Sequence, residues 1–295
     1  MNMIVRVPAS SANLGPGFDS FGIAWQLYNE IDFQLTEEGL EISGCAERFQ
    51  NESNLAYLGF RRVLERCGVP FTGVSIRFMR CAIPVSRGLG SSAALIAAGV
   101  TAANALCELG LSREELLLLA TEVEGHPDNV APALYGGLGV SAMDGGRAIT
   151  RRFPLSDRLR FAALVPPFEL STTLARSVLP AELPREDAIF NISRGALLLR
   201  ALGDGDAELL HFAMDDRIHQ SYRAKLIDGF KTARIEAQEC GAAGICISGA
   251  GPTILCVADH PDFPSRMETA LELALPGWEF MELTPDLDGA RIAAL

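Results

Sequence analysis

Nothing in the 295 residues is apolar for long enough to cross a bilayer, and no apolar stretch stands behind a basic amino-terminal end. The expectation is a cytoplasmic protein with no membrane partner. Paired cysteines are lacking too. The seven present (Cys45, Cys67, Cys81, Cys107, Cys240, Cys246, Cys256) are odd in number, scattered, and free of any Cys-x-x-Cys spacing, which points to reduced thiols rather than a disulfide framework. Positive charge is scarce: 25 Lys and Arg against 37 Asp and Glu leave a net charge of −12. That balance argues against a nucleic-acid surface, which needs a cationic stripe to neutralise backbone phosphates, although a local basic pocket stays open. Repeats and low-complexity tracts are missing. What remains is a chain 48% hydrophobic, long enough for about two domains and able to bury a substantial core.

The next absence is local. The helix expected from Ser91 to about Cys107 has no charged residue, and its small side chains (Ala93, Ala94, Ala97, Ala98, Gly99, Ala102, Ala103) let neighbours pack close on several sides. A helix start carries unpaired amides and partial positive charge, normally offset by Asp or Glu in its first turn; none is there. The preceding loop is Pro84-Val85-Ser86-Arg87-Gly88-Leu89-Gly90, followed by Ser91-Ser92-Ala93. Gly88 and Gly90 can take positive φ and admit a ligand against the backbone. The missing anion is then an external phosphate held by amides and by the Ser91 and Ser92 hydroxyls. A glycine turn capped by serine before a core helix reads equally well. The motif is not of the Walker type, since no Lys-Ser or Lys-Thr follows the glycines, nor is it the dinucleotide fingerprint.

Strand-like alternation at Ile4–Val7, at Ile31, Phe33 and Leu35, and at Val74, Ile76 and Phe78 brackets helices expected over about 54–66, over 91–107 and from Ser112, where Glu115 completes a capping box. Residues 135–154 read as hairpin and strand, and Phe161–Val165 opens a new block. The domain boundary is placed near Leu155, dividing the chain into 1–155 and 156–295. The second half, with helices near 186–203, 205–216 and 223–240 and strands at 244–247 and 253–258, reads as an α+β unit.

Four further constellations stand out. Pro8 to Asp19 is dense in polar turn formers, either a long turn or a pocket wall using Asn13 and Asp19. Glu122-Val123-Glu124-Gly125-His126-Pro127-Asp128-Asn129 puts acids at the unfavourable pole of a helix; either a divalent cation at Glu122 or solvent compensates. Ser248-Gly249-Ala250-Gly251-Pro252-Thr253 is a tight glycine loop between apolar strands. Arg176 and Arg223 are isolated arginines, surface groups or ligands.

In order and spacing, the segment with Pro8, Asn13 and Asp19, the Pro-x-x-x-Gly-Leu-Gly-Ser-Ser-Ala loop and the Gly-Ala-Gly-Pro loop resemble the three motifs of the GHMP kinase superfamily, across nearly the whole chain. Residues 10–19 and His126-Pro127-Asp128-Asn129-Val130-Ala131-Pro132-Ala133 resemble its homoserine-phosphorylating branch. The resemblance implies a two-domain α+β fold, with an ATP-binding domain like ribosomal protein S5 domain 2 over 1–155 and a ferredoxin-like domain over 156–295. It implies a homodimer, and ATP and L-homoserine as the molecules bound. It implies that the loop from Pro84 through Arg87, Gly88, Leu89, Gly90, Ser91 and Ser92 to Ala93, with Gly249 and Gly251, wraps the ATP phosphates, that Asn54 lies near the adenine, and that Ser92 and Glu122 hold Mg²⁺. Arg176 and Arg223 would clamp the substrate carboxylate, Thr172 would lie nearby, and Asn13, Asp19 and His126 would receive the ammonium. Asn129 stands where mevalonate and galactose kinases carry an aspartate base, which implies in-line transfer with no protein base. The alternatives are a GHMP kinase for another small alcohol, against which Arg176, Arg223, Asp19 and His126 together discriminate, and a nucleotide-binding regulatory module without catalysis, which predicts an eroded glycine loop or a missing metal carboxylate where Ser92 and Glu122 stand.

Overall fold

The computed structural model describes residues 2–70 and 72–293. Its first sheet grows from the alternating apolar positions. β1 (Asn2–Ala12) and β2 (Phe21–Leu35) pair antiparallel and bury Val5, Val7, Ile31 and Phe33 completely. β3 (Gly39–Ser43) follows, then α1 (Leu55–Cys67), whose amino-terminal cap is Asn54: its side-chain oxygen accepts from the Ala56 amide at 2.9 Å. β4 (Gly73–Cys81) pairs parallel with β3 and antiparallel with the second half of β2.

Three helices come next: α2 (Ser91–Leu106), α3 (Arg113–Glu124) and α4 (Pro127–Tyr135). The Ser112–Glu115 capping box is present at the start of α3. The chargeless α2 is the centre of the layer, packed on α1, α3, α4 and β1. Its closest approach is to α1, where a Cβ on Gly99 would meet the Ala56 carbonyl at 2.1 Å. The hairpin of β5 (Leu138–Asp144) and β6 (Arg147–Phe153) then joins the first half of β2.

Between Phe153 and β7 (Arg160–Val165) the chain leaves this sheet for a second one. The second half continues through α5 (Thr172–Ser177), α6 (Arg185–Asp204), α7 (Ala207–Ala213), α8 (Gln220–Arg223) and α9 (Phe230–Glu239). β8 (Gly244–Ile247), β9 (Ile254–Ala258), α10 (Phe263–Ala274) and β10 (Glu279–Leu283) complete the second sheet, ordered β10-β7-β9-β8 and antiparallel throughout. The end of the chain returns: β11 (Arg291–Ile292) pairs with β1, and Asp286 accepts from the Tyr28 hydroxyl on β2 at 2.7 Å. The last described residues therefore pack on the first sheet rather than the second.

Two expected helices differ in the structure. The helix expected over 223–240 is broken: α8 ends at Arg223, residues 224–226 form a 3-10 turn, Ile227 is extended at φ −109 and ψ 98, and α9 starts only after Gly229, its left-handed cap at φ +84. The helix expected over 205–216 ends at Ala213, because the Asp216 carboxylate is used to cap the next segment, accepting from the amides of Ile218, His219 and Gln220.

Trp25 ties the two halves together. Fully buried on β2, it lies 5.2 Å from the Phe161 ring of β7 and donates from Nε1 to Ser11 Oγ at 2.8 Å. A buried indole of this kind is worth about 3–5 kcal/mol against alanine. No helix among the described residues is long and apolar enough to cross a membrane.

Candidate active site

Three loops far apart in sequence meet where the two halves join. Ser248 Oγ lies 2.5 Å from the Gly88 carbonyl and 2.6 Å from Ser11 Oγ. A carbonyl only accepts, so the Ser248 proton goes to Gly88, Ser11 donates to Ser248, and Ser11 accepts from Trp25. The Gly249 amide donates to Ala12 and the Thr253 amide to Arg87. Glycine is required at the contact: a Cβ on Gly88, at φ +80, would meet the Ser248 carbonyl at 2.4 Å.

A cavity of about 850 Å³ opens beside this junction. At one end its wall is Cys45, Phe49, Leu55, Phe78 and Ile83 with Asn54; in the middle it is Gly88, Gly90, Ser91, Ser92 and Glu124; at the other end it is Asn13, His126, Asn129, Thr172, Arg176 and Arg223. The volume suits a medium-sized organic ligand.

The middle of the wall is the start of α2. Gly90 caps the helix in the left-handed region at φ +69, no side chain caps it, and no acid lies in its first turn. The amides of Ser91, Ser92 and Ala93 donate to no acceptor among the described residues. Free amides and the positive pole of a helix at one spot are the arrangement that suits an anion. Four candidates of the loop contribute backbone rather than cavity wall. Leu89 and Ala93 are buried in the core, Arg87 turns away to donate to the Pro167 carbonyl at 3.1 Å, and Pro84 is half-buried off the wall. Gly249 is likewise occupied: its carbonyl accepts from Asn13 Nδ2 at 2.9 Å and from Arg223 Nη1 at 3.0 Å, so it supports the far end of the cavity. Gly251 lines the wall, where a side chain would press on Leu170, Ile227 and Ile247. Asn54 lines the apolar end, with its amide committed to capping α1 and to the Phe49 carbonyl.

One assignment must be corrected. The carboxylate beside Ser92 is Glu124 and not Glu122: Ser92 Oγ donates to Glu124 Oε1 at 2.6 Å, whereas Glu122 is half-exposed and paired with Arg62 at 2.7 Å. Residues i and i+2 of a helix lie about 200° apart around its axis, so only one of the two acids at the end of α3 can face α2. Burial raises the Glu124 pKa above the usual carboxylate range, and the Ser92 hydrogen bond opposes that in part.

At the far end, charges are already arranged in pairs. Arg176 makes two hydrogen bonds to Asp19, Nη2 to Oδ1 at 2.7 Å and Nη1 to Oδ2 at 3.0 Å, which places Asp19 behind Arg176. Asn13 and Asp19 are both at positive φ, and Asn13 Oδ1 accepts from the Asp19 amide at 2.8 Å, so the loop is shaped by its own side chains. His126 Nδ1 lies 2.5 Å from Asp128 Oδ1; that hydrogen bond raises the imidazole pKa against the effect of burial. Asn129 Oδ1 accepts from Ser10 Oγ at 3.0 Å, which fixes the amide at the start of α4. Arg223 is 1% exposed, and burial, followed by the nearby Arg176 charge, lowers its pKa to about 10, still charged at neutral pH.

Sequence reasoning missed Glu124, Asp128, Ser10, His219 and the apolar end of the cavity. Glu124 and Asp128 stood in the quoted acidic stretch, so the signal was there without a means of ranking its acids. The apolar end comes from the loop between β3 and α1, the start of α1, the end of β4 and Ile83 just beyond it, and left no motif.

A GHMP kinase amino-terminal domain model matches residues 54–137 and a GHMP kinase carboxy-terminal model matches residues 198–276. Homoserine kinase of Clostridium botulinum is 44% identical over 290 residues, covering 98% of this chain and 97% of that protein. The crystal structure of homoserine kinase from Cytophaga hutchinsonii superposes with a TM-score of 0.89 at 29% identity, over 99% of this chain and 97% of the other. A mevalonate kinase of L. major crystallised with R-mevalonate shares the fold at a TM-score of 0.73 and 16% identity, covering 98% of this chain and 97% of that one. The fold and the three-loop site are of the GHMP kinase class, a two-domain α+β architecture with an S5-like first part and a ferredoxin-like second. Within that class, the chain belongs to the homoserine kinase family.

Proposed function

We propose that the cavity carries out transfer of the ATP γ-phosphate to the side-chain hydroxyl of L-homoserine, giving O-phospho-L-homoserine and ADP. One observation carries the reading: a bare helix start shares one cavity with Arg223 and with Arg176, which Asp19 backs, and Asn129 lies on the same wall. The α2 amides and the Ser91 and Ser92 hydroxyls take the phosphates, and the apolar end beside Asn54 takes the base. Arg176 and Arg223 take the carboxylate through charge-assisted bonds, and Asn13, Asp19 and His126 take the ammonium. The substrate inserts its two charges into the Asp19–Arg176 pair.

Mg²⁺ fits the residues present. A hydroxyl and a buried carboxylate are hard oxygen donors, and Ser92 and Glu124 bring both to the phosphate-binding helix end. Bound there with nucleotide, the ion would neutralise phosphate charge. Two protein ligands suffice, since this ion takes the rest of its shell from phosphate and water.

No protein base is required. Phosphoryl transfer in most analyses passes through a loose transition state, so the hydroxyl need lose little of its proton before attack. The chain supplies position and charge: Asn129, held by Ser10, orients the reacting groups, and the proton leaves to phosphate or water. A domain division near Leu155, with the end of the second part returning to the first sheet, and a cytoplasmic homodimer are part of the same proposal; light scattering of the purified chain tests the dimer.

The deciding experiment is ADP release with MgATP and L-homoserine, L-serine, L-threonine, mevalonate or galactose at equal concentrations. Selectivity for L-homoserine supports the reading. Activity confined to an amine-free alcohol overturns the substrate, and silence with all five despite ATP binding overturns the kinase.

A further inference from the structure

Arg223 is held more elaborately than a carboxylate ligand needs by itself. Nε donates to the Ala175 carbonyl at 3.2 Å, and Nη1 donates to the Gly249 carbonyl at 3.0 Å while lying 3.5 Å from His219 Nδ1. Nη2 makes no hydrogen bond among the described residues, and the side chain lines the cavity. His219 is completely buried, with Nε2 2.9 Å from the Gly15 carbonyl. That carbonyl can only accept, so Nε2 bears the proton and Nδ1 of the neutral ring turns its lone pair to Arg223. The Phe18 ring stacks on His219 at 5.3 Å between centroids, and the guanidinium carbons of Arg223 and Arg176 lie 5.1 and 5.7 Å from its centre. One aromatic ring thus lies against both guanidiniums, whose mutual repulsion would otherwise spread them.

We propose that Phe18 and His219 are positioning residues for the substrate carboxylate, acting through Arg223 by fixing its guanidinium so that Nη2 remains the donor available to the substrate. This deepens the homoserine reading and rests on it. The segment is braced from behind: the Asp216 carboxylate caps the start of α8, and Asn191 Nδ2 donates to Asp216 at 2.7 Å. His219 also ties α8 to the 13–19 loop, so the two walls that meet the amino-acid end of the substrate are set relative to each other.

The test is initial-rate kinetics of wild type, Phe18→Leu, His219→Asn, His219→Gln, Arg223→Lys and the double variant Phe18→Leu/Arg223→Lys, varying L-homoserine and ATP separately. Phe18→Leu and His219→Gln are expected to raise the KM for homoserine roughly ten- to hundredfold, the scale of one charge-assisted hydrogen bond, with kcat and the KM for ATP within about twofold. His219→Asn, whose Oδ1 replaces the Nδ1 acceptor, is expected to keep more homoserine affinity than His219→Gln. In the Arg223→Lys background, Phe18→Leu is expected to add little, since residues acting through one group are not additive. A homoserine KM unchanged in Phe18→Leu, a fall of kcat together with rises in both KM values, or full additivity with Arg223→Lys overturns the proposal. If the His219 variants do not fold, the Phe18 and Arg223 cycle decides it. Wild type inactive on homoserine overturns the underlying reading as well, whereas an active wild type with additive losses overturns only the positioning role.

Discussion

Asp19 and Arg176, 157 residues apart in the chain, close on each other through two hydrogen bonds of 2.7 and 3.0 Å. Without substrate the amino-acid end of the cavity neutralises its own charges. A ligand with only a carboxylate would leave Asp19 unpaired, and one with only an ammonium would leave Arg176 unpaired; a zwitterion satisfies both.

Asp19→Asn should therefore separate substrates by charge. We expect kcat/KM for L-homoserine to fall roughly ten- to hundredfold, while 4-hydroxybutyrate, which lacks the ammonium, changes little or improves. ADP-release rates on both compounds check this. An equal loss on the two would show that Asp19 acts only by shaping its loop.

The two acids at the end of α3 should behave differently. Glu124→Gln is expected to cut activity by about a hundredfold and to raise the Mg²⁺ concentration needed for half-maximal rate, because on the proposed reading it removes the carboxylate that would hold the ion with Ser92. Glu122→Gln removes a half-exposed pair with Arg62, worth about 0–1 kcal/mol, and should stay within about twofold of wild type. Magnesium titrations of the two variants compare them directly.

Gly88→Ala should damage stability and nucleotide binding together. A Cβ there meets two carbonyls of the 248–251 loop and requires a backbone at φ +80, so we expect a loss of about 2–3 kcal/mol and weak ATP binding. Gly145→Ala, in an open turn at φ +53, should cost only about 1 kcal/mol and leave ATP binding intact. Denaturant melts and nucleotide titrations measure both.

Asn129→Ala is expected to reduce turnover about tenfold, the effect of losing one orienting amide rather than a base. Loss of all activity in a folded variant that still binds both substrates would count against base-free transfer.

Stability should fall on mild acidification, in part because of His219. Burial pushes its pKa below the ordinary 6.5, and the nearby Arg223 charge acts in the same direction, against Asp216, Asp19 and the Gly15 hydrogen bond. The folded protein keeps the ring neutral while the unfolded chain takes up a proton, so the unfolded state binds more protons between the depressed value and about 6.5. The contribution is complete above that window and is lost as pH falls through it. The drop in melting temperature between pH 8 and pH 5.5 should be larger for wild type than for His219→Asn, which cannot titrate there.

Much of the fold was legible because it depends on local rules. The capping box at Ser112, the chargeless α2 and the alternation in β1, β2 and β4 each declare themselves within a few residues. Short elements with little periodicity did not: β3, β10 and β11 exist because neighbouring strands offer them edges, and α4 opens with a His-Pro step that reads as a turn. The break between Arg223 and Phe230 shows the limit of reading helices by composition, since an extended Ile227 and a left-handed Gly229 separate good helix formers on both sides.

The sequence by itself determined the class of protein, the three loops and the cavity residues that those loops and the two arginines supply, because glycines, cap residues and an uncapped helix start carry their chemistry in local backbone geometry. Only the tertiary structure decided which partner each charge takes. Glu124 rather than Glu122 meets Ser92 because of the rotation of α3 against α2, Arg176 meets Asp19 across the junction of two domains, and Gly249 holds Arg223 and Asn13 with one carbonyl. These are contacts between groups 26 to 236 residues apart, and their direction is set by how whole elements pack, which short-range spacing does not encode.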